Sequence, residues 1–568
     1  MYIEFRLRQI PGLLDVSSHL SPKGARAMGM DNASIDRAPA AITSTGPPGE
    51  TVAETGFSST PKGSTRLLHR LPLWATVFIG IATVGPTMAM AGNGQGIISS
   101  VGKGVPLAFL LGIVAVGLVG YGFIRLTRHI DHAGSAYALV GATVGPRAGF
   151  FSGFAMIGCY LGFSISCIAI FAAFVNDWLL QVQNGRANAF QLPWIIPALV
   201  AIAGSALLAG RDTKSIARVL MAFEGCGIVA MFVLVAVIFA KGGAPTTGFS
   251  LSVFSVSHGV HPSAVLYGVV AAFLSWAGFE SCAALGEETS NPHRNIPRAL
   301  FGTLAVTGVL FVLVMYAQTI GFGTNAAGLS TFQHSANTLG SLGTQYVGSW
   351  FSLIIVITAI CSAFAAHLGA AAASSRMMFA YSRDGFGPSW MAKVEKKTNS
   401  PRNAMWLVIG LCLIVMVIAY TTGWPVMGTG NPALDTYTLF AYGGTVAMIV
   451  AYFMVEVAAI KFVVMRAKVE RGLVMGVTLL SIGTVVIVAV LYENVKGQHS
   501  YLSSPPYLGL TWCAIGLVIA LLASKLTRRV GESLTAELGS LDVEVTDDVS
   551  RTDGQFVTAA EPVTTSEG

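Results

Sequence analysis

Apolar runs long enough to cross a bilayer recur along this chain, and they limit what it can fold into more than any other feature. At 1.5 Å per residue, about twenty apolar residues in a helix span the ~30 Å hydrocarbon layer. Twelve such runs are read, with approximate limits 73–98, 105–126, 148–176, 192–210, 217–240, 263–287, 298–322, 347–380, 402–421, 435–460, 472–492 and 506–525. Only 11% of the 568 residues are charged while 53% are hydrophobic; a soluble domain carries roughly twice that charged share. The expectation is an all-α polytopic membrane protein, embedded in the lipid bilayer.

The flanks read differently. Residues 1–70 are polar and rich in Gly, Ser, Thr and Pro, a composition that cannot bury a core. They are expected to form a disordered cytoplasmic tail, and no cleavable signal is expected, because the first apolar run begins near Leu73. Residues 527–568 carry Glu532, Glu537, Asp542, Glu544, Asp547 and Asp548 and are expected to be a second, acidic tail. Residues 71–526 form the membrane domain. The seven cysteines all fall in apolar runs with no metal-ligand spacing, so they read as small hydrophobes. No metal, cofactor or nucleic-acid partner is expected, and with no nucleophile–base pair or phosphate loop, no enzymatic role.

Basic residues alternate from loop to loop. One side holds Arg125, Arg128 and Arg147; Arg211, Lys214 and Arg218; Arg294 and Arg298; Arg383, Lys393, Lys396, Lys397 and Arg402; Lys461, Arg466, Lys468 and Arg471; and Lys525, Arg528 and Arg529. The other side holds Lys103, Arg186, Lys241 and Lys496. The positive-inside rule makes the first side cytoplasmic and places both termini there.

Two of the runs are interrupted. The first contains Thr83-Val84-Gly85-Pro86-Thr87-Met88; Pro86 has no N–H for the helical ladder, so the helix either kinks or unwinds there. The sixth contains Ser275-Trp276-Ala277-Gly278-Phe279-Glu280, and a carboxylate inside a span costs roughly 2.5–3.5 kcal/mol on insertion scales. Spans one and six lie five apart and enter the membrane from opposite sides. Corresponding interruptions in two inverted halves point to a transporter's midplane site. A broken helix offers free N–H groups to a carboxylate and free carbonyls to an ammonium group. The N–H groups are expected from Thr87 to Ala89, and the carbonyls from Ile81 to Thr83, Ser275 and Trp276.

These motifs resemble the amino acid–polyamine–organocation permeases. The resemblance is carried by Ser275 to Glu280, by Leu285-Gly286-Glu287-Glu288-Thr289-Ser290-Asn291-Pro292 with Asn295-Ile296-Pro297-Arg298-Ala299, and by Ser374 to Gly385. Ala133-Gly134-Ser135-Ala136-Tyr137 and Val144-Gly145-Pro146 also resemble the loop between that family's second and third helices. It covers about residues 73–525 and implies a five-plus-five inverted-repeat core (73–240 and 263–460), two further helices (472–525) and amino acid transport by alternating access. The chain departs from the family at Gly85-Pro86-Thr87, where many members have a Gly-small-Gly-Ile run, and at Glu224, about one turn from a lysine found in some proton-coupled members.

Single residues keep two readings. Glu224 either carries a proton during transport or pairs near the end of its helix. Glu280 either lines the path, neutralises a cationic substrate, or holds the break in shape. His367 is a pH-sensing group or a hydrogen-bonded interior residue. Glu456 reads as snorkelling or paired. Trp276 either closes over a substrate or packs in the interior, and Tyr160 is a weaker site candidate. Glu287, Glu288, Arg294 and Arg298 are expected to form a cytoplasmic ion-pair cluster that serves as the gate. The function expected is a plasma-membrane amino acid permease coupled to protons, with an exchanger, an amine or polyamine carrier, or a nutrient sensor as alternatives.

Overall fold

The computed structural model describes residues 71–522 apart from 131, 133, 184–189, 210, 212, 257–260, 336, 396–399, 466–472 and 497–503. Both expected tails lie outside the described residues. The described chain is helical throughout: α1 Leu73–Val84, α2 Pro86–Val101, α3 Val105–Thr127, α4 Ala136–Thr143, α5 Pro146–Val182, α6 Ile195–Leu208, α7 Thr213–Ala240, α8 Pro262–Leu274, α9 Pro292–Phe322, α10 Ala326–His334, α11 Thr338–Tyr346, α12 Ser349–Arg383, α13 Arg402–Thr422, α14 Pro432–Met465, α15 Leu473–Val495 and α16 Pro505–Leu522. A 3₁₀ segment over Phe279–Leu285 lies between α8 and α9.

Among the described residues ten helical stretches are long and apolar enough to cross a membrane, with α1 and α2 counted together. This is a multi-pass membrane protein. The two other expected runs are shorter. The fourth forms α6, 14 residues long, which at 1.5 Å per residue reaches about 21 Å. The sixth is cut in two: α8 stops at Leu274, and Gly278 turns the chain with φ +96° before the 3₁₀ segment. The stretch between spans seven and eight, expected as a loop, instead folds into α10 and α11. Asn325 and Asn337 start these helices, their side chains accepting from Gly328 N at 3.0 Å and Gly340 N at 2.9 Å.

The polarity of the bundle is that of a membrane protein. Large apolar side chains such as Leu207, Val309 and Val485 face outward. Inside lie three carboxylates, Glu224, Glu280 and Glu456, and His367, all fully buried. Helices approach closely through small residues, as expected where lipid removes the hydrophobic drive for association. On α5, a Cβ at Gly162 would come within 2.9 Å of Phe440 O and 3.2 Å of Gly444 Cα of α14.

Candidate functional site

The first interruption is a full break. Gly85 takes a left-handed conformation (φ +63°, ψ 59°), ends α1 by donating to Ile81 O at 3.1 Å, and precedes Pro86 at the first position of α2. Proline suits that position because its missing N–H would have had no helical partner. The next two amides are the orphans. Thr87 N donates to Glu224 Oε1 of α7 at 2.9 Å, and Thr87 Oγ1 donates to the same oxygen at 2.9 Å. Met88 N donates to Ser362 Oγ of α12 at 3.1 Å, while Ala89 N returns to Gly85 O at 2.9 Å. The amides expected to be open to a ligand are therefore all engaged, two of them by side chains of other helices. Gly227, one turn beyond Glu224, makes room for this: a Cβ there would lie 2.1 Å from Thr87 Oγ1.

The second interruption meets the first. A Cβ on Gly278 would lie 3.0 Å from Thr83 Cγ2 and 3.3 Å from Thr83 O, so the two breaks are in contact. Trp276 O accepts from Phe279 N at 3.2 Å. Beside this contact is a cavity of about 30 Å³, bordered by Thr83, Met88, Asn93, Ser166, Ala277 and Tyr437. That is room for a water or two and far below the several hundred Å³ of a ligand-filled pocket; the site is closed in this structure. Asn93 links the halves, its Nδ2 donating to Ser275 Oγ at 2.9 Å and its Oδ1 accepting from Tyr437 OH at 3.1 Å. Neither Asn93 nor Tyr437 was singled out in the sequence, although an asparagine within an apolar run is itself a signal.

Three expected site residues lie elsewhere. Trp276 is inserted between α3 and α9, 5.6 Å from the Phe109 ring and 5.2 Å from the Phe311 ring, against Gly112. It packs as an interior aromatic and does not border the cavity. Glu280 is separated from Glu224: Tyr452 OH of α14 donates to its Oε2, and Phe123, Phe273 and Phe279 surround Tyr452. Tyr160 of α5 stands beside the same carboxylate. His367 faces α5, with Nδ1 2.9 Å from Ser164 Oγ and 3.1 Å from Ser164 O. Glu456 neither snorkels nor pairs. It is fully buried, and neither oxygen has a hydrogen-bond partner among the described residues. A Cβ on Gly122 of α3 would lie 2.5 Å from its Oε1, and one on Gly483 of α15 would lie 3.4 Å from its Oε2.

The expected ion-pair cluster exists with different partners. Arg383 Nη1 donates to both oxygens of Glu287 at 2.7 and 2.9 Å, and Arg376 Nε donates to Glu288 Oε1 at 2.5 Å. Arg376 and Arg383 are seven residues apart, two turns along one face of α12. Arg383 Nε also reaches Asp384 at 3.3 Å and its Nη2 reaches His132 Nε2 at 2.6 Å, while Tyr137 OH donates to Asp384 at 2.9 Å. Arg294 and Arg298 are exposed on α9. Sequence proximity suggested those two arginines, but α9 turns them outward while the end of α12 is laid across the acids. The chain entering α1 joins this cluster: Leu71 N donates to Glu288 O at 2.8 Å, and Ser290 N donates to Leu71 O at 2.9 Å.

The chain matches the amino acid permease family over residues 71–522, the full span of the described structure. It belongs to that family. Its members are transporters rather than enzymes. Among curated relatives, this permease is similar to the branched-chain amino acid permease BcaP of Lactococcus lactis, with 26% identity over 367 residues, 59% of this chain and 73% of the relative. It is similar to the low-affinity putrescine importer PlaP of Escherichia coli, with 27% identity over 469 residues, 80% of this chain and 93% of the relative. A third relative is the chloroplastic cationic amino acid transporter 6 of Arabidopsis thaliana, with 22% identity over 321 residues, 53% of this chain and 52% of the relative. Both breaks, the closed cavity and the Glu287–Arg383 cluster fall within the matched residues.

Proposed function

We propose that this permease carries an amino acid across the plasma membrane by alternating access, with proton coupling. The observation that carries this reading is the contact of the two breaks: Gly278 stands against Thr83, and a small polar-edged cavity lies beside them. Interrupted helices that meet inside a bilayer are where transporters hold substrate, because their ends supply dipoles without burying a net charge. The substrate site of this reading is formed around Thr83, Gly85, Pro86, Thr87, Met88, Ser275 and Gly278, with Asn93 and Tyr437 added. Twelve spans are proposed: α6 is the fourth, and α8 with the 3₁₀ segment is the sixth. The halves 73–240 and 263–460 form inverted repeats, with 472–525 outside them.

The cluster of Glu287 and Glu288 with Arg376 and Arg383 is assigned to the cytoplasmic gate, the side on which both termini lie. It ties α12 to the loop after the second break and, through Leu71, to the start of the first. Glu224, with its hold on Thr87, is the coupling group of this reading. Flux of labelled amino acids into proteoliposomes under an imposed pH gradient, then a sodium gradient, tests the proposal. Uptake driven by the inward proton gradient is expected, and stimulation by sodium alone would refute the coupling.

An amine carrier is the second reading. It is favoured by the similarity to a putrescine importer over 80% of this chain and by the engaged amides of α2, which an amine without a carboxylate would not need. Counterflow of labelled leucine against labelled putrescine separates the two.

A further inference from the structure

We propose that Glu224 occupies the carboxylate subsite of this permease, and that an amino acid enters that subsite only when Glu224 leaves it as the neutral acid. The inference rests on the amino acid reading above and goes beyond it, because it makes the proton and the substrate's carboxylate alternatives at one helix end. The two orphan N–H groups of α2, Thr87 N and Met88 N, already have acceptors in Glu224 Oε1 and Ser362 Oγ. A helix N-terminus attracts one anion, and here the chain supplies its own. Oε1 accepts twice from Thr87, Ser362 stands beside the same carboxyl group, and Oε2 is buried with no hydrogen-bond partner of good geometry among the described residues. A group held by one oxygen can be displaced, and Met88 and Thr83, on either side of the break, border the closed cavity.

Among the described residues, the neighbours of Glu224 include no counter-ion. From α12 the titratable side chain beside it is Cys361, and Cys226 lies near it on α7. Neither α1 nor α2 contains an acidic or basic residue. In α9 the basic residues His293, Arg294 and Arg298 fall in the opening turns, and α11 contributes Tyr346 as its one titratable group. The positive end of α2 is thus what compensates a charged Glu224. When a substrate carboxylate takes that end, two anions would share it, which costs more than protonating one. The proton comes from the aqueous phase on the loading side, resides on Glu224 while the substrate carboxylate holds Thr87 N, and is released when the substrate departs and Glu224 returns.

The sign follows from linkage: a ligand that prefers the protonated form loses affinity as pH rises, by about tenfold per pH unit once Glu224 is ionised in the free protein. The test uses the purified full chain in detergent. Binding of the twenty amino acids, and of 3-methylbutylamine, cadaverine and putrescine, is measured between pH 5 and 8. Proton uptake on binding is followed with an indicator dye in weak buffer. The expected result is a falling affinity for amino acids, about one proton taken up per amino acid bound at the high end of that range, and neither effect for the amines. Glu224→Gln, which keeps the shape and a carbonyl acceptor for Thr87, is expected to bind amino acids without the slope. Ser362→Ala is expected to retain it. A slope that persists in Glu224→Gln, or amino acid binding with no proton uptake by the wild type, overturns the inference and leaves the transport reading standing. No binding of any amino acid or amine at any pH overturns the transport reading and the inference with it.

Discussion

At the scale of the residue, the positions that matter most are those where a side chain would not fit. Gly85 combines a left-handed φ with a neighbour, Ala366 Cβ, 2.9 Å from where its own Cβ would be. The conformation alone costs a non-glycine residue about 1–2 kcal/mol, so Gly85→Ala is expected to lower the thermal unfolding midpoint and suppress flux. Gly225→Ala, where a Cβ would meet nothing within 4 Å, is the matched control, and should be neutral or stabilising by up to about 1 kcal/mol. Glu456 gives a second contrast. Because neither of its oxygens has a side-chain partner among the described residues, Glu456→Gln is expected to leave unfolding and transport close to wild type. Gly122→Ala, which would press a methyl to 2.5 Å from Oε1, is expected to destabilise by about 1–3 kcal/mol. Calorimetry of the two variants in detergent measures both.

At the scale of the element, the charged cluster decides how the ends of helices are tied. Arg383 touches Glu287, Asp384 and His132 with its side chain only 10% exposed. Removing it takes the guanidinium from Glu287 and Asp384, whose side chains are 6% and 7% exposed; breaking a buried pair costs about 3–5 kcal/mol, and Asp384 keeps its bond from Tyr137. Arg383→Ala should therefore be far more damaging than Glu287→Gln with Arg383→Met together, and a double-mutant cycle on unfolding temperature reads the difference. Arg294→Ala and Arg298→Ala, on exposed positions, should fall within about 0.5 kcal/mol of wild type. The loop after Leu285 shows how much of this was legible. Glu287 and Glu288 stood out as a charged interruption, and the Ser374–Gly385 segment as a family signature. Nothing in either stretch says that they face each other, because a pairing across 88 or 96 positions is made by helix packing and not by local pattern.

At the scale of the whole molecule, the alternation of basic loops makes an orientation that can be tested. Cysteines introduced at Lys103 and Lys241 in intact cells are expected to react with a membrane-impermeant maleimide. Cysteines at Arg402 and Lys461 should react only after permeabilisation. Reaction of all four in intact cells would contradict the odd number of spans proposed between Lys103 and Arg402. A lysine at Val309, on the outer face, should lower the amount of inserted protein, since a central cation costs about 2.5–3.5 kcal/mol on insertion scales.

The sequence by itself determined that the chain is a helical membrane protein, that runs one and six are interrupted, and that its motifs are those of a permease family. These are properties of composition, of proline and glycine, and of run length, all local in the chain. Only the tertiary structure decided that Thr87 is held by Glu224 and that Trp276 packs between α3 and α9. It alone showed Glu287 answered by Arg383 instead of Arg294, and Glu456 with no side-chain partner among the described residues. The reason is rotational. An apolar pattern shows that a helix is in the membrane, but when lipid and protein interior are equally apolar it does not show which side of the helix faces which neighbour.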